Sequence, residues 1–367
     1  MSTVFQAGRN LKEATPSTGI YGATWHAFTA GTTSILTRTD DAADFPDPVP
    51  YVSGATEYGS PFDNIMPWKG MVKVEDSTVG TLVEIPKFWY KITGTGESYG
   101  PITFQITNKE TEGFSVSPAH MDRGDGKGER DVVYVGRYHC DANNYKSLSG
   151  QNIKYNITRA TARANIHNLG TTIWQNDFAM RFTIWLLYLV EFADWNSQAK
   201  IGYGCGENKS GLSDSMPYHT GTPYSSRDTY GAGVQYRWIE SLWDNNYDWI
   251  DGCYYNSSGL NLILNPNNFN DSSGGTLVGK PNGSGYVNAI LTNSSVFPMF
   301  YPGECSSSET SGGTKDNWSY NASTYPCISM GGMWHGNQYD GLFSVQSWTS
   351  SDTGGEASVS CRLMKLP

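Results

Sequence analysis

The segment from Asn176 to about Gln198 constrains the fold more than any other part of the chain. Phe178, Phe182, Trp185, Leu189 and Phe192 recur at helical spacing as one stripe, and Ile184, Leu187 and Tyr188 fill its flank. Asn176 or Asp177 can accept from the first free backbone N–H groups as an N-cap. A helix that is apolar around most of its circumference must be buried around most of it, so the rest of the chain has to wrap it. Its densest apolar run, Phe182–Val190, is about half of the ~20 residues needed to cross a bilayer. The segment therefore predicts a core helix.

Ahead of it, Thr81–Ile92 is rich in β-branched and aromatic residues and predicts a strand, with Pro86 implying an edge position or a bulge. Ile102–Thr107 alternates apolar and polar and predicts a half-buried strand, and Val132–Val135 predicts another. A first helix is expected after a Thr158 cap, with Ala162, Ile166 and Leu169 on one face and Gly170 as its stop. Beyond Ile201 the spacing predicts no further helix. Gly, Asn, Ser and Tyr dominate there, with short strand-like runs at Leu260–Leu264, Gly341–Val345 and Val359–Leu363. An early sheet, two helices and a loop-rich second half make the expected class α+β. Residues 1–60 lack a cluster of large apolar side chains and carry the Pro-spaced run Phe45–Pro50. They are expected to be an attachment arm or linker, with residues 61–367 as one domain.

Charged residues are only 16%, against 41 glycines and 13% aromatics, which argues for a compact chain and against a disordered one. A net charge of −10 without any basic run argues against nucleic acid or an anionic membrane as partner. Met1–Asn10 is polar and no apolar run follows it, so no signal peptide is expected. The six cysteines (140, 205, 253, 305, 327, 361) contain no CxxC pair, which disfavours zinc; free, mostly buried thiols are expected.

The usual catalytic motifs are absent, and the six histidines are isolated in sequence. Asp122–Asp131 mixes acids with glycines but lacks EF-hand ligand spacing, so a surface turn is expected. Trp238–Gly252 combines three tryptophans with four acids; the rings are expected to pack and the acids to face loops. We therefore expect no catalytic residue, no metal ligand and no cofactor. Tyr325–Leu366 is different in kind. Its Trp, Tyr, His, Asn, Gln and Ser make a poor core, because the amides and the imidazole would need buried partners. Large amphipathic rings beside small adaptable polar side chains do make a binding surface.

Three segments carry a resemblance. Glu240–Trp249 resembles the "Glu-Asn-x-x-Gly-Asn-x-x-Glu-Trp" segment of the formylglycine-generating-enzyme branch of the C-type lectin fold, with Asp244 where Gly is usual. Phe192–Trp195 is similar to that branch's helix-ending acidic and aromatic residues. Gly331-Gly-Met-Trp334 followed by Cys361-Arg-Leu363 resembles its closing "Gly-Gly-x-Trp … Gly-Phe-Arg" signature, with Cys361 as a departure. Within that fold the chain looks most like the variable proteins of diversity-generating retroelements, the phage tropism determinants and related prophage proteins. Val83–Tyr90, Trp185–Asp194 and Trp249–Gly252 are similar to segments of gut-phage proteins of that type.

The resemblance implies a hypervariable ligand-binding region at about 317–363. Its displayed residues would be Met333, Trp334, His335, Asn337, Gln338, Tyr339, Gln346, Ser347, Trp348, Ser351 and Asp352, in exposed loops. Gly331, Gly332, Gly341, Phe343, Cys361 and Arg362 would be their frame. It also implies host adhesion as the function: binding of a bacterial surface receptor, protein or glycan. The chain would sit at a bacteriophage tail tip, or be prophage-encoded, joined to tail components through the N-terminal arm as a homotrimer. Two other expectations are weaker. A formylglycine-generating-type oxidase would need a close cysteine pair, whereas Cys327 and Cys361 are far apart in sequence. A calcium-dependent sugar-binding lectin would need carboxylates that Asn265-Pro-Asn267 and Trp243-Asp-Asn245 only partly supply.

Overall fold

The apolar segment forms α2 (Phe178–Phe192), and every one of its residues is buried. Asp177 caps it, its carboxylate accepting from the Met180 N–H at 2.8 Å. The helix stops at Phe192 rather than near Gln198, because Ala193 turns left-handed (φ 50°). Asn196 then caps a separate single turn, α3 (Ser197–Lys200). The first helix, α1 (Arg159–His167), has the expected Thr158 cap but closes on Asn168, so Leu169 and Gly170 lie outside it. This computed structural model describes residues 18–26, 34–94, 100–204, 206–223, 233–307, 313–321, 326–333, 340–352 and 359–367. Among them no α-helix follows Lys200, and no helix is long and apolar enough to cross a membrane.

Three main sheets surround α2. In the first, β1 (Ile20–Trp25), β2 (Thr37–Asp40), β5 (Trp89–Gly94), β6 (Ile102–Thr107) and β7 (Ser115–Val116) run in the order β2-β1-β6-β5-β7. α2 packs against β1 and β6. The alternation read in Ile102–Thr107 is real: Ile102, Phe104 and Ile106 face the core. The second sheet joins β3 (Lys73–Asp76), β4 (Gly80–Pro86), β8 (Val132–Gly136), β9 (Ile173–Gln175) and β22 (Leu363–Lys365) in the order β3-β4-β8-β22-β9. The C-terminal strand thus sits inside a sheet otherwise made of early residues, which binds the two halves of the chain into one unit.

The third sheet collects β12 (Tyr247–Ile250), β16 (Gly285–Asn293), β17 (Met299–Ser306), β18 (Asn317–Trp318), β19 (Cys327–Met330), β20 (Val345–Trp348) and β21 (Val359–Ser360). Its order is β17-β16-β18-β20-β19-β12-β21. Smaller pairings join β10 (Gln235–Tyr236) to β11 (Ile239–Glu240), and β13 (Cys253–Asn256) through β14 (Gly259–Leu262) to β15 (Thr276–Gly279). The class is α+β, mostly sheet.

Two expectations need correction here. Thr81–Ile92 is not one strand: it breaks after Pro86, and β4 and β5 enter different sheets. The supposed arm is not separate either. β1 pairs along its whole length with β6, and Ala23, Trp25 and Leu36 are core residues. The Thr-, Gly- and Ala-containing segments around these two short strands hid this membership. Only residues 1–17 and 27–33 of the 1–60 stretch lie outside the described residues.

The buried ionic residues set this core apart. Arg123 with Asp177, and Arg237 with Glu191, are ion pairs buried on both sides. Charges this far from water persist only when paired and hydrogen-bonded. Each ties a loop to the central helix or its cap.

Candidate ligand-binding face

β19 and β20 pair antiparallel, Cys327 opposite Trp348 and Met330 opposite Val345. The chain between them leaves and returns through a narrow neck. A Cβ on Gly332 would stand 2.0 Å from the Asp340 carbonyl oxygen, and one on Gly331 would stand 2.1 Å from that of Leu242. Both glycines have positive φ (Gly331 101°, Gly332 86°), so both the space and the backbone require them. Gly332 and Asp340 are therefore adjacent points of the chain.

The return side of the neck is pinned by side chains from elsewhere. The Asp316 carboxylate accepts from the Gly341 and Phe343 N–H groups at 2.9 and 2.8 Å. Ser197 Oγ accepts from the Leu342 N–H at 2.9 Å. On α2, Arg181 and the Trp185 indole donate to the Leu342 carbonyl at 3.2 and 2.9 Å. These bonds consume the backbone groups a strand would use, so Gly341–Ser344 is a turn and β20 begins only at Val345, not at Gly341 as expected. Burial holds the Asp316 carboxyl well above the ordinary carboxylate range, opposed by those two N–H groups. Nothing in the sequence around Asp316 signals this role; it is a lone acid in a polar loop.

The far flank is held by Arg362. Its Nε donates to Asp248 Oδ2 at 2.9 Å, Nη1 to the Gly136 and Arg137 carbonyls at 3.0 Å each, and Nη2 to those of Glu240 and Ser241 at 2.9 and 3.0 Å. All five guanidinium donors are used. Burial would raise the Asp248 carboxyl, but Arg362 and His139 beside it more than offset this and hold it well below the usual range. The four acids of Trp238–Gly252 were expected to face loops. All are buried: Glu240 accepts from Ser213, Asp244 from the Gly204 N–H, Asp248 from Arg362 and Asp251 from Arg163. Their partners are distant in sequence, which is why a local reading placed them outward.

The frame residues Gly331, Gly332, Gly341, Phe343, Val359, Cys361, Arg362 and Leu363 are all buried. Of the residues expected to be displayed, Trp334, His335, Asn337, Gln338 and Tyr339 lie outside the described residues. Gln346, Ser347 and Trp348 come together on β20 and are half-buried, so that part of the expected loop is strand. Ser347 Oγ lies 3.1 Å from Ser319 Oγ. Ser351 is exposed and Asp352 half-buried, in the turn that follows. Met333 and Trp348 both pack against a small apolar cluster that includes Trp249, Cys327 and Cys361. Trp348 meets Trp249 edge to face at 6.1 Å, and its indole donates to Ser329 Oγ at 2.7 Å. These two side chains are anchors as much as display.

No family model and no curated protein matches the chain. Its own chemistry is therefore the guide. Burial pushes the Cys327 thiol up to about 11, the opposite of what a cysteine nucleophile needs. Asn265 accepts from the Asn267 N–H and Asn245 donates to the Lys209 carbonyl, so both partial lectin motifs are spent on internal bonds. Among the described residues no group of three or more His, Cys, Asp or Glu could hold a metal ion.

Proposed function

We propose that this chain is a receptor-binding protein of the retroelement-diversified type, built on a C-type lectin-like fold, that adheres to a bacterial surface through the face around β20. The observation that carries this reading is the pinned neck at Gly331, Gly332 and Asp340. It would let residues 334–339 vary without disturbing a buried base, to which Met333 belongs, while Gln346, Ser347, Ser351 and Asp352 add small polar contacts beside them. The chain acts by binding rather than catalysis, as a phage tail-tip or prophage-encoded protein joined to tail components near its N-terminus. One such face is weak, and trimeric presentation on a virion multiplies it.

Adsorption of the purified protein, or of phage carrying it, to host cells tests this. Replacing Trp334, His335, Asn337, Gln338 and Tyr339 together with Gln346, Ser347 and Ser351 by Ala is expected to abolish adsorption with little change in Tm. Retained adsorption refutes the assignment. A reverse transcriptase and a near-copy of the 3′ coding segment beside the gene, differing at adenines, would be the independent genetic signature.

A further inference from the structure

A cleft between α1, β9 and the turn at Pro266–Asn268 involves none of the residues of that face. It measures about 480 Å³, within the range of small-ligand sites. α1 contributes Arg163, His167 and Asn168; β9 contributes Trp174; Asn267 and Phe269 come from the 3-10 turn at Pro266–Asn268 and its cap. Its floor is aromatic and firmly set. His167 stacks on Trp174 at 3.9 Å and 20°, and Phe269 meets Trp174 edge-on at 6.4 Å.

Its electrostatics are balanced. Arg163 pairs with Asp251 and Asp271, and Asp271 also takes Arg159, so two guanidiniums face two carboxylates. An anion gains little there. The polar capacity that remains is neutral and mixed. Arg163 engages its neighbours through Nε and Nη2, leaving Nη1 without a partner among the described residues. His167 Nδ1 lies 2.9 Å from the Ile173 carbonyl, which can only accept, so in the uncharged ring Nε2 is a bare acceptor. The exposed Asn168 amide offers both donors and an acceptor; Asn267 Nδ2 already donates one hydrogen to Asn265 Oδ1 at 3.1 Å, which leaves its Oδ1 and its second N–H.

We infer that this cleft binds a neutral sugar residue, its C–H face against the half-buried His167 ring, which Trp174 backs, and its hydroxyls on the amides, the imidazole and the free guanidinium nitrogen. A hydroxyl both donates and accepts, which suits a rim of amides; a flat imidazole held in place by Trp174 behind it suits a pyranose ring. None of the residues lining the cleft is among those of the proposed adhesion face.

Saturation-transfer NMR on the full chain tests it, using the methyl glycosides of glucose, galactose, mannose and N-acetylglucosamine, with uridine and glucuronate as controls. At least one neutral glycoside is expected to receive saturation, and binding is expected to weaken at least tenfold in His167→Ala and in Asn267→Ala. Asn267 is exposed, so that variant keeps its fold and its unfolding temperature. The inference is overturned if no glycoside binds, if both variants bind as the parent does, or if uridine or glucuronate displaces the sugars.

Discussion

Arg362→Lys is the substitution most directly worked from this structure. The guanidinium is completely buried and spends its five donors on one carboxylate and four carbonyls drawn from two other segments, Gly136–Arg137 and Glu240–Ser241. Lysine keeps the charge that Asp248 needs but offers three donors from a single point. At least two buried acceptors therefore lose their partner, at about 1–3 kcal/mol each, which makes roughly 4 kcal/mol in all. With an unfolding entropy of ~2.1 cal/mol/K per residue, that corresponds to a Tm lower by about 5 °C for a chain of this size. Scanning calorimetry reads the shift, and urea unfolding supplies an independent value. Asp248→Asn leaves the guanidinium charge buried without its counter-ion and is expected to cost about 3–5 kcal/mol. The double variant should lose less than the sum of the two, with a coupling of about 1–3 kcal/mol. If Arg362→Lys costs under about 1 kcal/mol, the five bonds do not hold the C-terminal segment.

Gly332→Ala forces a Cβ into the Asp340 carbonyl at a positive φ; a loss of roughly 2 kcal/mol in calorimetry is expected together with weakened adsorption, and a wild-type Tm would mean the neck is not closed. Trp348→Ala removes a half-buried ring and its bond to Ser329, so about 2 kcal/mol should be lost, roughly half the cost for a fully buried tryptophan. Ser347→Ala should leave Tm within about 0.5 kcal/mol equivalents of the parent in calorimetry while altering adsorption, because a half-exposed hydroxyl contributes little to folding. Burial brings the His120 imidazole down to about 4, against the opposing pull of its bond to the Ile85 carbonyl. Between pH 6.5 and 4 the unfolded chain then binds more protons than the folded one, so stability rises with pH there and acidification removes about 3 kcal/mol. Urea midpoints at pH 7 and pH 4.5 check this, and an imidazole titrating near 6.5 by NMR would overturn it.

The central helix was legible because its period survives any tertiary context: Phe178, Phe182, Trp185, Leu189 and Phe192 can only be a buried stripe. Its end was not, since Ala193 gives no hint that its backbone turns left-handed. The apolar run Thr81–Ile92 reads as β but says nothing of which sheet each half joins, and Ile20, Tyr21 and Trp25 stand as a few large residues in an otherwise small and polar stretch, with their partner strand β6 about 80 positions away. In the candidate site, the glycine frame was legible through Gly331 and Gly332. The ionic base was not. Asp248 and Arg362 lie 114 positions apart, and a buried carboxylate has the same letter as a solvated one.

If the segment between Gly332 and Asp340 is the displayed loop we propose, the neck at its base leaves its length as free a variable as its sequence. When the two ends of a segment are held at adjacent points, closing it costs entropy that grows only with the logarithm of its length, about 0.6 kcal/mol for each doubling. Residues 334–339 are therefore expected to tolerate exchange for a peptide twice as long, with a penalty smaller than that of many point substitutions. The same base is a port for grafting foreign recognition sequences into this scaffold.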